Sequence, residues 1–459
     1  MMWKINIAAL LAACWAGAAW SAGEGTVGSP SSDGGVRPSL LVVLSVATAK
    51  DDAWRSVAEG LRAKHSDMQA EVLVCNGPVA DCLGELRTRL PRYVAFVMKP
   101  DEARFETVLG LRRLMREVDD DPFDDAIWGI VSAPSARDAL RIAKSNEPKR
   151  LVDALTTTGI GESLYPGKGV TMLDTNPPGR WQIKEANGTV SVHTGKGSLA
   201  KAFADAWNRL DPQVLVTSAH ASQRKMTMPF NCGHILPKDG RFVGDGGESF
   251  KRPRREKVWI AAGNCEIADN PPGDNMVMTA LGFGKVNQFV GYTVTTWFGD
   301  VGWNTLHYAG GCRLPLNEAY YFANQYLIRR VADRIGEKAK TFKPRFATAR
   351  DCTVDRFKAE VVRAGLPSGR NLLGLLWDRD GTVFWGDPAQ RIGFDPAGAS
   401  TKAGDGKGLP LGIVFARTKP GRRLKRAPEG FEVFVADDFA LVTKWPDLKP
   451  GWQKELVFE

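Results

Sequence analysis

Two residues carry the chemistry most open to this sequence: His220 and Cys265, each standing just after a short apolar run, 213–217 and 258–262. A thiol is a strong nucleophile only as its thiolate, and a nearby imidazole takes its proton or stabilises the anion. The pair is therefore the minimum equipment for acyl transfer through a covalent intermediate. Both stand among small residues, Ala219 and Ala221 on one side and Ala262 and Gly263 on the other, which leaves room for a substrate backbone. The 45 positions between them accommodate one loop and one strand, so neighbouring strands can deliver both. Each also has a plainer reading. A lone histidine is more often a hydrogen-bonding core or surface residue, and a cysteine of an exported protein is more often half of a disulfide.

The intervening segment offers a rival. With Cys232 and His234 the same two residues form a tetrahedral zinc set by type, but Cys232 and His234 are only two positions apart, closer than zinc ligands usually stand. No metal is expected there, and Cys232 is expected as a free thiol or as a partner of Cys312 or Cys352. Asp119, Asp120, Asp121, Asp124 and Asp174 are candidates for a third catalytic member, with Asp120 and Asp124 as the acidic part of a substrate pocket. Clustered aspartates more often make a helix-ending turn or a calcium site, so a structural calcium ion is the ion this cluster would take. Tyr292, Thr295 and Trp297, with Trp303 nearby, are candidate walls of the cleft, although aromatics in such a run are more often core.

The elements that must position these residues follow from periodicity. Runs 41–46, 71–75, 93–98 and 126–131 read as strands, and 51–64, 101–117 and 135–145 as helices. After Thr157-Thr158-Gly159 a second unit begins. It has a helix over 198–210, strands over 213–217, 258–262 and 288–294, and helices over 276–282 and 317–330, with a polar Gly-rich loop between His220 and the second strand. Alternation of this kind predicts a mostly parallel sheet with helices on its faces, and in such sheets ligands gather beyond the carboxyl ends of the strands. Past residue 388 Gly, Pro and basic residues dominate, and the short apolar runs 412–416, 431–435 and 439–443 predict a small antiparallel β domain.

At 459 residues the chain is too long for one small binding module, and 43% apolar with 25% charged residues excludes wholesale disorder and a polytopic membrane protein. Lys and Arg (61) exceed Asp and Glu (52), with a basic run at Lys251-Arg252-Pro253-Arg254-Arg255. No aromatic platform accompanies that run, so it reads as a solvated loop and no nucleic-acid partner is expected. Met1-Met2-Trp3-Lys4 followed by an apolar stretch to Ala19 reads as a secretion signal cut after Ser21. Alternatively, Leu11-Ala12-Ala13-Cys14 resembles a lipoprotein box with Cys14 lipidated and the Gly/Ser-rich stretch as tether. Either way the chain is expected outside the cytoplasm, periplasmic, secreted or on the outer surface, with no later transmembrane span. Cys75 and Cys82 flank a short loop and are a plausible local disulfide, and Cys312 and Cys352 are further disulfide candidates.

A strand ending in histidine followed by a strand ending in cysteine resembles the caspase/hemoglobinase fold, and within it the gingipain-like cysteine peptidases of bacteria. Phe123-Asp124-Asp125-Ala126-Ile127-Trp128-Gly129-Ile130 resembles the acidic turn and strand of the first subdomain. Gly291-Tyr292-Thr293-Val294-Thr295-Thr296-Trp297 resembles the strand and pocket wall after the nucleophile, and Trp385-Gly386-Asp387-Pro388 the segment closing the catalytic domain. The resemblance spans residue 40 to the C-terminus on short motifs. It implies a two-part α/β sandwich with mostly parallel sheets and a small C-terminal immunoglobulin-like β domain. The implied parts are a signal (1–21), a Gly/Ser-rich linker (22–39), a first α/β subdomain (40–160), a catalytic subdomain (161–389) and the β domain (390–459). It also implies an exported cysteine endopeptidase acting on proteins or peptides without a cofactor. In that reading Cys265 is the nucleophile, His220 the general acid/base, and the N–H groups of Ala221 and Cys265 the oxyanion donors. Ala221 departs from the glycine common there but keeps the donor. The alternative is a non-catalytic surface protein that keeps a peptidase fold and uses its cleft for binding.

Overall fold

The structure is a computed structural model. It describes residues 39–394 except 149, 160–166, 196–197, 312–313 and 345–352, and beyond these the backbone of six short strands. Cys14, Cys312 and Cys352 lie outside the described residues. Residues 37–310 and 314–398 form one compact unit, and 1–36, 311–313 and 399–459 form another.

The larger unit is built on twelve strands: β1 (Ser39–Ser45), β2 (Gln69–Cys75), β3 (Tyr93–Val97), β4 (Ile127–Val131), β5 (Ala154–Thr156), β6 (Gly169–Met172), β7 (Arg180–Lys184), β8 (Val190–Thr194), β9 (Val214–Thr217), β10 (Lys257–Ala261), β11 (Val286–Tyr292) and β12 (Thr382–Gly386). They pair in the order β8-β7-β6-β5-β9-β10-β11-β12-β4-β3-β1-β2. The strands expected in two halves thus make one continuous, mostly parallel sheet. β3, β4, β10, β11 and β12 are buried along their whole length, as strands covered on both faces must be; β3 and β4 are apolar runs, while β10, β11 and β12 also bury Lys257, Asn287, Gln288 and Thr382.

Antiparallel pairs break the parallel order at the β6-β7-β8 end and at one seam inside the sheet. β11 and β12 are antiparallel, with Gln288 opposite Gly386 and Tyr292 opposite Thr382. β12 is in turn parallel to β4, and β4, β3, β1 and β2 run with it. The block β5-β9-β10-β11 therefore points one way and the block β12-β4-β3-β1-β2 the other, so the acidic turn before β4 lies at the same edge as the loops that follow β9 and β10. The seam is tight. A Cβ on Gly386, whose φ is 128°, would stand 2.2 Å from the Asn287 carbonyl oxygen. Only glycine fits there.

Helices α1 (Asp52–Lys64), α2 (Phe105–Leu114), α3 (Ala136–Lys144), α4 (Leu199–Leu210), α5 (Met276–Leu281), α6 (Asp300–Leu306), α7 (Leu316–Ile335), α8 (Val354–Arg363) and α9 (Arg370–Gly381) cover the sheet. Several begin where a side chain closes the first turn: Asp51, Ser135, Ser198 and Asn275 each accept a backbone N–H from the turn they cap. Val258 and Ile260 of β10, Val290 of β11, and residues of α7, α8 and α9 share one apolar core. The segment after His220, expected as a loop, is instead a four-stranded antiparallel sheet over 221–244. Its strands are two to five residues long and carry few apolar side chains, so no alternation marked them.

In the smaller unit, strands 3–6, 455–458 and 424–426 form one three-stranded antiparallel sheet, and 414–417, 439–444 and 432–435 form another. Among the described residues no helix is long and apolar enough to cross a membrane. Cys75 and Cys82 are joined as a disulfide with a Cα–Cα distance of 6.0 Å.

Candidate active site

β9 and β10 lie side by side and parallel, with Thr217 opposite Ala261, so their C-terminal loops leave the sheet together. A chain of hydrogen bonds staples those loops. Trp259 Nε1 donates to Thr217 Oγ1 (2.8 Å), Thr217 Oγ1 donates to Asn264 Oδ1 (2.6 Å), and Asn264 Nδ2 donates to the Ala219 carbonyl (2.9 Å). The next residue on each loop is His220 on one and Cys265 on the other. The loops touch because Gly263 has no side chain: a Cβ there would come within 2.3 Å of Ser218 Oγ. Asn264 is fully buried, and its side-chain amide uses both ends in the staple.

Cys265 is a free, half-buried thiol. Its sulfur accepts the Thr296 N–H at 3.3 Å and donates to the Thr296 carbonyl at 3.7 Å, while Thr296 Oγ1 donates to the Asn264 carbonyl at 3.1 Å. The loop after β11 therefore clasps the cysteine. Burial pushes the thiol up, and the Glu266 carboxylate adds to that. The N–H groups of Thr296, Ala221 and Cys265 itself pull it back without cancelling the rise. His220 is exposed, and its imidazole has no hydrogen-bond partner among the described residues; its carbonyl accepts the Thr227 N–H at 2.8 Å, anchoring the loop to the 221–244 sheet.

The segment after the cysteine is laced to that sheet. Met276 N–H donates to the Gln223 carbonyl, Arg224 donates to the Asp274 and Pro272 carbonyls, and Asp274 accepts the N–H groups of Asp239 and Gly240. Within it Asp269, four residues past Cys265, is buried and pushed up to about 7 by desolvation, with Glu266 and Glu106 adding repulsion.

The other expected residues fall in different places. Thr295 is exposed and donates to Glu266 at 3.2 Å. Trp297 is half-buried against Trp377 and Phe298. Tyr292 is fully buried. Its hydroxyl donates to Asp378 at 3.1 Å and accepts the Gly302 N–H at 3.0 Å, so it braces the wall from within and does not line a cleft. Asp124 is 2% exposed and paired with Arg112 at 3.2 Å, which leaves it closed to a substrate cation. Asp120 is fully exposed and faces Lys340. Asp119 and Asp121 accept N–H groups two residues on, the Asx geometry of a turn. Among the described residues no three His, Cys, Asp or Glu side chains converge as a metal set, and Cys232 is a second free thiol.

Sequence reasoning missed Asn264 and Thr296. Asn264 had a signal, a polar residue directly between an apolar strand and the candidate nucleophile. Thr296 had none, since its part is played by the main chain.

No family model matches this chain, and no curated protein matches it. A solved structure named "Structure of Protease" is similar over 92% of this chain and 94% of that one, at 10% identity and a TM-score of 0.45.

Proposed function

We propose that this chain is an exported cysteine endopeptidase of gingipain-like type. The observation that carries the reading is a free thiol on a loop stapled to its neighbour, with His220 and Cys265 each one residue beyond the staple. In the reaction His220 takes the Cys265 thiol proton as the sulfur attacks the peptide carbonyl, the N–H groups of Ala221 and Cys265 hold the oxygen as it gains charge, and His220 hands that proton to the departing amine. Water, giving a proton to His220, then attacks the thioester, and the sulfur leaves as thiolate and takes that proton back. Preorganised donors of that kind are worth about 3–4 kcal/mol each at the transition state. The reading needs no organic cofactor. Export rests on the leader, cleaved after Ser21 or lipidated at Cys14.

A second reading, a non-catalytic binding protein, is favoured by one observation: the resting thiol is raised, with no cation paired to it. Alkylation by a peptidyl electrophile separates the two. If the reagent modifies Cys265 selectively and thereby ends cleavage of a peptide library, the chain is a peptidase. If Cys265 reacts no faster than Cys232, or cleavage survives Cys265→Ala, the binding reading holds.

A further inference from the structure

Beyond the opposite edge of the sheet, where β10 and β11 begin, the structure holds a cleft of about 540 Å³. That volume is within the range of small-molecule sites, about 300–1,000 Å³. Five cations from three segments line it: Arg141 and Lys144 of α3, Arg254 and Arg255 before β10, and Lys285 before β11. Two carboxylates share the lining, and one of them, Glu256, is already matched by Arg141 at 3.0 Å. The positive charge exceeds the negative.

The cations divide into those that build the wall and those left for a visitor. Arg255 is fixed by Asp153 at 2.9 Å and by the carbonyls of Asp211 and Leu210, so the basic run read as a solvated loop is partly built into the fold. Arg141 bonds Glu256, Asn287 and the carbonyls of Leu281 and Val286, yet its Nε is buried without a partner. Lys144 and Arg254 are exposed, and neither side chain has a partner among the described residues. Lys285 is held at φ 50°, where glycine or asparagine is the ordinary choice, with Nζ on the Arg254 carbonyl. Strain at a lysine that faces a cleft is the kind that persists at binding sites. Lys257, which follows Glu256 of the lining in the chain, is pushed down to about 8 by burial, opposed by the Asp211 charge and reinforced by those of Arg255 and Lys285.

We propose that this cleft binds a small oligo-anion carrying two or more phosphate or sulfate groups, gripped by Lys144, Arg254 and Lys285 against the fixed guanidinium groups of Arg141 and Arg255. Guanidinium forks match tetrahedral oxyanions in two-point contacts, and ammonium groups add unoriented charge. β10 has five residues, so the site lies about 17 Å from the cysteine loop at roughly 3.3 Å per residue. It stands whether or not Cys265 is catalytic.

Calorimetry on the whole protein at low salt, with inorganic tripolyphosphate and separately with a trisulfated disaccharide, tests this and tells phosphate from sulfate. At least one probe is expected to bind with Kd of about 10 μM or tighter, weakened about tenfold or more by Lys144→Glu with Arg254→Glu. Neither side chain supports the fold, so the thermal midpoint stays put. Lys358→Glu with Arg363→Glu, the same charge change on exposed positions of α8, is expected to leave binding within about twofold. The proposal is overturned if neither probe binds at about 1 mM, or if the α8 variant loses as much as the cleft variant.

Discussion

Where β12 ends, Asp387 is fully buried between Lys64 (2.8 Å) and His65 (2.7 Å), and these neighbours hold its carboxyl well below the usual range against the cost of burial. Just before β12 begins, Asp378 is as deeply buried, but its partners are the Tyr292 hydroxyl and the Val301 N–H, and desolvation pushes it up to about 7. One carboxylate is neutralised by cations and the other is not. Around the cysteine the same pattern recurs in Asp269 and in the raised thiol of Cys265. At the far edge Lys257 is partnered by Asp211 and Arg141 by Glu256, yet burial still pushes both down. Burial thus works in opposite senses at the two edges, raising acids around the cysteine and lowering bases at the far edge.

The comparison can be broken first at the cysteine. Cys265→Ala is expected to lower peptide cleavage by about 10⁴-fold or more while leaving the urea midpoint unchanged, since the thiol holds little of the core together. Activity surviving the substitution would remove any reason to treat that edge as special. At the other edge the outcome inverts: Asp387→Ala leaves Lys64 buried and unpaired, and chemical denaturation should show a loss of about 3–5 kcal/mol.

Asp378→Asn sharpens the contrast through pH. A carboxyl whose folded value is raised holds its proton longer in the folded state, so its contribution to stability is greatest below about pH 4 and falls away as pH rises towards 7. Above pH 7 the variant should be more stable than the parent by a few kcal/mol, because each tenfold weakening of an acid in the folded state is worth about 1.4 kcal/mol. Asp387, held low, contributes in the opposite sense: its stability is present above about pH 4 and is lost on acidification. An Asp378→Asn curve parallel to the parent from pH 4 to 8 would contradict this assignment. Asn264→Ala, which cuts the staple between the two loops, should cost about 1–3 kcal/mol and lower kcat more than it raises KM. The smallest effect is kinetic: alkylation of Cys265 should keep rising with pH past about 8.5, the ordinary thiol value, with no plateau near neutrality.

Much of the sheet was legible because its buried strands are apolar runs and its helices carry caps: 213–217 and 258–262 became Val214–Thr217 and Lys257–Ala261, and 276–282 became Met276–Leu281. Helix α9 was not. All of Leu372–Gly381 is buried, Asp378, Arg379 and Asp380 included, so the segment shows neither an apolar stripe nor a polar face. The pairing of His220 and Cys265 loops could be read from position. The demotion of Tyr292 and Asp124 could not, because whether a side chain lines a cleft or braces it from behind depends on what α6, α7 and α9 bring up against it.

The antiparallel seam has a consequence for how the protein is made. β12 is the last strand of the large sheet to be made and sits between β11 and β4, so until residue 386 has been synthesised the two blocks cannot be joined through it. A ribosome that stops before residue 382 releases no weaker version of the protein. It releases a chain without the strand that joins the blocks, so that β11 and β4 would be bare edges open to any neighbouring chain.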